Sequence, residues 1–136
     1  MRIFLSSFVC VLAMTAVSCS TGPTAPTNTI ASPATETFSS LLAVKGTASR
    51  SFSTHNRGTI SVTLTSTSPA GTVVGVGVGI PRIGNTGCNL TTSVNTAAGS
   101  GAQISVTAET GDYCVQIYDL GTLSAQLAFT LSFTHP

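Results

Sequence analysis

Alternation of apolar and hydroxylated residues constrains this chain more than any other feature. In Thr59-Ile60-Ser61-Val62-Thr63-Leu64-Thr65 the apolar side chains fall on one side and the hydroxyls on the other, and Leu127, Phe129, Leu131 and Phe133 repeat the pattern within Ala125 to Thr134. A period of two means extended strands with one buried face. Gln103 to Ala108 buries Ile104 and Val106 in the same way, and Tyr113, Val115 and Ile117 share one face of Asp112 to Asp119. Further strands are expected around Phe38 to Val44, Ser51 to Thr54, Thr72 to Ile80 and Asn89 to Val94. Turns at Lys45-Gly46, Asn56-Arg57-Gly58 and Thr110-Gly111-Asp112 separate them. No segment beyond the first residues has a helical period. About seven to nine short strands at this spacing imply an all-β domain, an antiparallel two-sheet β-sandwich.

The polar positions are hydroxylated rather than ionic. Charged residues make up 7% of the chain, against about 25% in an ordinary globular protein. Beyond Arg2 the basic residues are Lys45, Arg50, Arg57 and Arg82, balanced by Glu36, Glu109, Asp112 and Asp119. Nucleic acid is therefore not expected as a partner, because phosphate recognition needs clustered Lys and Arg to displace counterions. Nor is there a basic amphipathic helix to hold the protein on anionic lipid, so any membrane attachment has to come from elsewhere.

That attachment is expected at Cys19. Arg2 followed by the apolar run Ile3 to Val17 reads as an export signal, too short and too soon followed by a polar stretch to be a transmembrane span. Ala16-Val17-Ser18-Cys19 resembles a bacterial lipobox, in which the cysteine becomes the lipidated first residue of the mature chain. Pro23, Pro26 and Pro33 among Thr, Ala and Ser then make an extended tether. This divides the chain into a signal sequence, 1–18, a lipidated cysteine and tether, 19–35, and a folded domain, 36–136. Ser20 after the cysteine resembles the outer-membrane sorting pattern, so the expected location is the bacterial cell envelope. With Cys10 in the leader and Cys19 lipidated, Cys88 and Cys114 are expected to pair as a disulfide in an oxidising compartment.

The segment Gly111-Asp112-Tyr113-Cys114-Val115-Gln116-Ile117-Tyr118-Asp119-Leu120-Gly121, continuing to Phe129-Thr130-Leu131-Ser132-Phe133-Thr134, resembles the end of bacterial pre-peptidase C-terminal (PPC) domains. Phe52-Ser53-Thr54, Gly58 to Leu64 and Ser68-Pro69-Ala70 fit the same template, so the likeness spans most of residues 36 to 136. It implies a jelly-roll-like sandwich and an accessory, non-catalytic role in a secreted protein. Relatives that bind calcium use a cluster of acidic side chains, whereas this chain has only four carboxylates in all.

Glu109, Asp112 and Asp119 are the candidate calcium ligands, since a hard cation needs several oxygens and some carboxylate charge. The competing expectation is that Glu109-Thr110-Gly111-Asp112 is simply a hairpin turn in which Asp caps its own backbone. Neither a Gly-x-Ser-x-Gly elbow nor a His-Glu-x-x-His pair occurs. His55 is expected in an exposed turn and His135 at a mobile end, so no catalytic residue is assigned. In Thr72 to Ile80, Val74, Val76, Val78 and Ile80 should share one face, while Gly75, Gly77 and Gly79 leave the other bare. Those glycines, with Tyr118 on the outer side of its strand, form a candidate interaction surface; the alternative is that another segment of the domain crosses there. Together these features point to a non-catalytic envelope lipoprotein with an interaction or structural role. The alternative is a polymer- or peptide-binding accessory domain, calcium-assisted, that serves a separate secreted enzyme. In either case the expected partner is an extracellular protein or polymer.

Overall fold

The computed structural model describes residues 32–136. The signal sequence 1–18, Cys19 and the tether as far as residue 31 lie outside the described residues. Eight strands follow one another: β1 (Ala34–Leu42), β2 (Thr47–Thr54), β3 (Gly58–Ser68), β4 (Val74–Pro81), β5 (Cys88–Thr96), β6 (Ile104–Ala108), β7 (Gly111–Tyr118) and β8 (Leu127–His135). One 3-10 turn, Ile83–Asn85, lies between β4 and β5, and no α-helix occurs among the described residues. β1 begins two residues inside the stretch assigned to the tether, because Ala34 and Thr35 already pair with His135 and Thr134.

Two four-stranded sheets form, with strand orders β1-β8-β3-β6 and β2-β7-β4-β5. In pairing terms, β4 joins β5, β3 joins β6, β2 joins β7 and β1 joins β8, all antiparallel. The chain is thus one long hairpin, turned at the β4–β5 loop and rolled so that successive pairs fall in alternate sheets. This is the jelly roll among two-sheet sandwiches. Among the described residues only β4–β5 is a hairpin between consecutive strands; every other connection crosses from sheet to sheet. The Glu109-Thr110 segment, expected as a hairpin turn, is such a crossing: β6 and β7 lie in different sheets. One end of the sandwich carries the start of β1, the end of β8 and the β2–β3, β4–β5 and β6–β7 links. The opposite end carries the β1–β2, β3–β4, β5–β6 and β7–β8 links.

The inner faces are those the alternation specifies. Ile60, Val62 and Leu64 of β3, Val74, Val76 and Val78 of β4, and Leu131 and Phe133 of β8 are essentially free of solvent. Each such side chain contributes about 1.5–3 kcal/mol relative to its exposed state. Two positions depart from simple alternation. In β3 the register with β8 shifts between Leu64 and Ser66, so Thr65 is an extra residue and Thr67 becomes the next inward side chain. The Gln103 side chain supports this bulge, its Oε1 accepting the Leu64 N–H at 2.6 Å. Ile80, expected beside Val78, is instead 55% exposed where β4 leaves the sandwich.

Cys88 and Cys114 form the expected disulfide, with Cα atoms 5.9 Å apart. It ties the start of β5 to β7 across the end of β4. Loss of unfolded-state freedom from a loop of this length contributes about 3 kcal/mol on a chain-entropy account. Gly79 makes the arrangement feasible: a Cβ there would collide with the Asn89 backbone, which crosses over it on the way to Cys88. Backbone held by a disulfide and a sheet cannot retreat. Gly79→Ala is therefore expected to cost about 2–3 kcal/mol, the upper range for overpacking. Gly77→Ala should cost less, because its nearest obstacle is the Leu90 methyls at 2.7 and 2.8 Å, which can rotate. Denaturant melts of both variants check this; a Gly79→Ala protein as stable as the parent would contradict the crossing.

Candidate functional site

The glycine strip is filled rather than open. Gly75, Gly77 and Gly79 are all buried. Tyr118, which pairs directly with Gly75, lays its ring over it, so a Cβ at Gly75 would lie inside the phenol. Leu90 covers Gly77 and the Asn89 backbone covers Gly79. Each glycine is needed because something else of the same domain occupies the space its side chain would take. Tyr118, half-buried, therefore packs its ring on its own sheet, and for Gly75, Gly77 and Gly79 the open surface gives way to the alternative, a crossing by other residues of the same domain.

The four carboxylates are equally dispersed. Asp112 and Asp119 stand at opposite ends of β7, and among the described residues no group of three His, Cys, Asp or Glu side chains comes together to hold a metal. Glu109 pairs with Arg57 at 3.0 Å on the surface. Asp112 accepts the Ser53 hydroxyl at 2.6 Å from the neighbouring strand. Asp119 is a loop cap: Oδ1 accepts the N–H groups of Gly121, Thr122 and Leu123, and Oδ2 accepts that of Lys45 at 2.7 Å. The Asp119 N–H in turn donates to the Gly46 carbonyl at 3.1 Å. One carboxylate thus ties the β1–β2 loop to the β7–β8 loop, which explains how Lys45 is held at a φ of 55°.

His135 is not at a mobile end. It is the last residue of β8, 8% exposed, with its ring 4.8 Å from Phe52 and its Nε2 3.2 Å from Glu36. Glu36 also meets Arg50 at 3.2 Å. This inward cluster closes the gap between the edge strands β1 and β2 at the end where the chain enters the domain. Alternation held the signal, because Glu36 has the same parity as the inward Phe38, and Arg50 the same as Phe52. An imidazole beside a carboxylate is two parts of a nucleophilic triad, yet the His135 Nδ1 is buried without a partner and no hydroxyl reaches it. His55, in contrast, is exposed as expected.

What the fold does assemble is a face. The outer side of the β1-β8-β3-β6 sheet carries Thr35, Thr37 and Ser39 of β1, then Thr134, Ser132 and Thr130 of β8. Ser61, Thr63 and Ser66 of β3 follow, with Ser105 and Thr107 of β6. The register aligns them in rows across the strands: Thr35, Thr134, Ser61 and Ser105 in one, Thr37, Ser132 and Thr63 in the next, Ser39, Thr130 and Ser66 in a third. Rows are about 6.7 Å apart and strands about 4.8 Å apart in such a sheet. Thr35 bonds Thr134 and Ser39 bonds Thr130, each at 3.0 Å, and Ser61 meets Ser105 at 3.5 Å. Among the described residues no charged side chain stands in it. The sequence shows the Thr59 to Thr65 part of this face, but not that four strands would bring their hydroxylated sides into one sheet.

Clefts among the described residues lie elsewhere. One of about 270 Å³ is lined by Ser51, Phe52, Ser53, Pro81 and Asp112, and one of about 180 Å³ sits between the β3–β4 and β7–β8 loops. Both are smaller than the ~300–1,000 Å³ of ordinary small-molecule sites. No protein-family model matches the chain, and no curated protein matches it.

Asp119 gives a pH test of the loop tie. Desolvation pushes its carboxyl upward, but the backbone N–H groups of Lys45, Leu123, Thr122 and Gly121 outweigh that and hold the pKa below the ordinary 3.8. A lowered folded pKa means the stabilisation is complete above about pH 3.8 and is lost as pH falls through the lower folded value. The stability difference between the parent and Asp119→Asn, measured by denaturant melts, should stay constant down to that pH and shrink below it. A difference that ignores pH would contradict a role for the charge.

Proposed function

We propose that this chain is an exported, non-catalytic interaction module of the bacterial envelope, anchored by lipid on Cys19, and that it meets its partner through the hydroxyl face of the β1-β8-β3-β6 sheet. The observation that carries this reading is the face itself: rows of Ser and Thr from four strands, with no charge. Soluble domains ordinarily intersperse charge over their surfaces, and an uncharged face favours association. Each hydroxyl offers one donor and two acceptor sites, and threonine adds a methyl. Such a grid suits an uncharged, hydroxyl- or amide-bearing chain, a polysaccharide above all. The lipobox-like Ala16 to Cys19 segment and the PPC-like motifs support the location and the accessory role.

Co-sedimentation of the chain from Ser20 onward with peptidoglycan, chitin, cellulose and collagen, each with calcium and with chelator, tests the proposal. Binding to one of these is expected, independent of calcium because the carboxylates are dispersed. Thr63→Lys and Ser132→Lys should weaken it about tenfold or more, since each leaves an unpaired charge against the partner. Ser93→Lys, on the outer side of the other sheet, should leave it unchanged. Binding that survives Thr63→Lys and Ser132→Lys but falls with Ser93→Lys would assign the wrong face.

A further inference from the structure

We propose that the β4–β5 loop is a membrane contact, with Ile83 and Ile80 seated at the boundary between lipid headgroups and acyl chains and Arg82 facing a lipid phosphate. The inference rests on the lipid-anchor reading of Cys19, and it commits the domain to standing on the bilayer rather than being lifted clear of it.

Ile83 is fully exposed, at 100%, and Ile80 is 55% exposed. Their loop is held in shape: the Arg82 N–H donates to the Gly87 carbonyl at 3.0 Å, and the Arg82 Nε donates to Asn89 Oδ1 at the same distance. Gly84, at a φ of 77°, turns the chain at the tip. The disulfide at Cys88 fixes the loop's far side. Ile83 is thus presented outward by a closed loop. Among the described residues no carboxylate pairs with Arg82, whereas Arg50 and Arg57 are both paired. An aliphatic tip beside an unpaired guanidinium is the chemistry of an interfacial contact, apolar into the acyl boundary and cation at the headgroup.

The topology puts this tip where a bilayer would be. The β4–β5 loop lies at the end of the sandwich where β1 begins, so it shares that end with the chain leading back to Cys19. Residues 20–31 separate Cys19 from the described domain and span at most about 45 Å, so the reach allows contact. Exposed Val44, Val73 and Leu120 lie in links at the opposite end, farther from the attachment by a nine-residue strand, roughly 27 Å.

The chain has no tryptophan, so a single introduced indole reports its own surroundings. The processed, full-length protein carrying Ile83→Trp is placed in phosphatidylglycerol and phosphatidylcholine vesicles with brominated acyl chains, beside the Val73→Trp and Leu120→Trp proteins. The expected result is that all three float with the vesicles, and that the indole at 83 alone shifts its emission to the blue and loses most of its intensity to bromine. Flotation with an indole at 83 as water-exposed as those at 73 and 120 would overturn the contact and leave the anchor standing. Failure to float would overturn the anchor and the contact together.

Discussion

The structure depends on burying one side of every strand between two sheets. Ile60, Val62, Leu64, Leu131 and Phe133 from one sheet meet Val74, Val76, Val78, Val115 and Ile117 from the other, and the pairing of β1 with β8, β2 with β7, β3 with β6 and β4 with β5 is the arrangement that lets a single hairpin supply both inner faces. Everything on the outside follows as the other half of a period of two. A residue that is not inward has to face solvent or another part of the same chain, and the two sheets resolve that differently.

In the β2-β7-β4-β5 sheet the outer side folds back on itself. Glycine at alternate positions of β4 admits the Tyr118 ring, the Leu90 side chain and the Asn89 backbone in turn, and the last of these lets Cys88 reach Cys114. Along β4 that outer side is taken up by internal packing, while Ser51, Ser53, Ser93 and Asp112 stay exposed around it. Over the β1-β8-β3-β6 sheet none of the described residues crosses, and the outer side keeps its rows of hydroxyls. The difference gives the functional proposal its direction: one outer side is interrupted by that packing and by the charge of Asp112, the other is a continuous uncharged grid. The ends are also distinct, with Asp119 tying loops at one and the His135, Glu36 and Arg50 cluster closing the other beside the incoming chain.

Much of this was legible in the residues, because period-two alternation reports the inner face of each strand directly. The all-β sandwich, eight strands within the expected range, and the Cys88 to Cys114 bridge follow from it and from the cysteine arithmetic. Alternation is silent on which strands become neighbours, and the misreadings lie there. Bare glycines in β4 left two readings, an open strip or a crossing, because nothing local says that β5 folds over them. Glu109-Thr110 looked like a hairpin because a short turn-like link and a crossing between sheets share the same residues. His135 looked terminal and free because its partners, Glu36 and Phe52, are far away in sequence. The bulge at Thr65 reversed the parity of the end of β3, which a regular pattern cannot anticipate.

On the proposal made above, the β1-β8-β3-β6 face is the one the protein uses. A photo-crosslinking residue at position 63, in the middle of that face, can be compared in living cells with one at position 93, on the outer side of the opposite sheet. A discrete crosslinked product is expected from position 63 and none from position 93. A product from position 93 alone would contradict it.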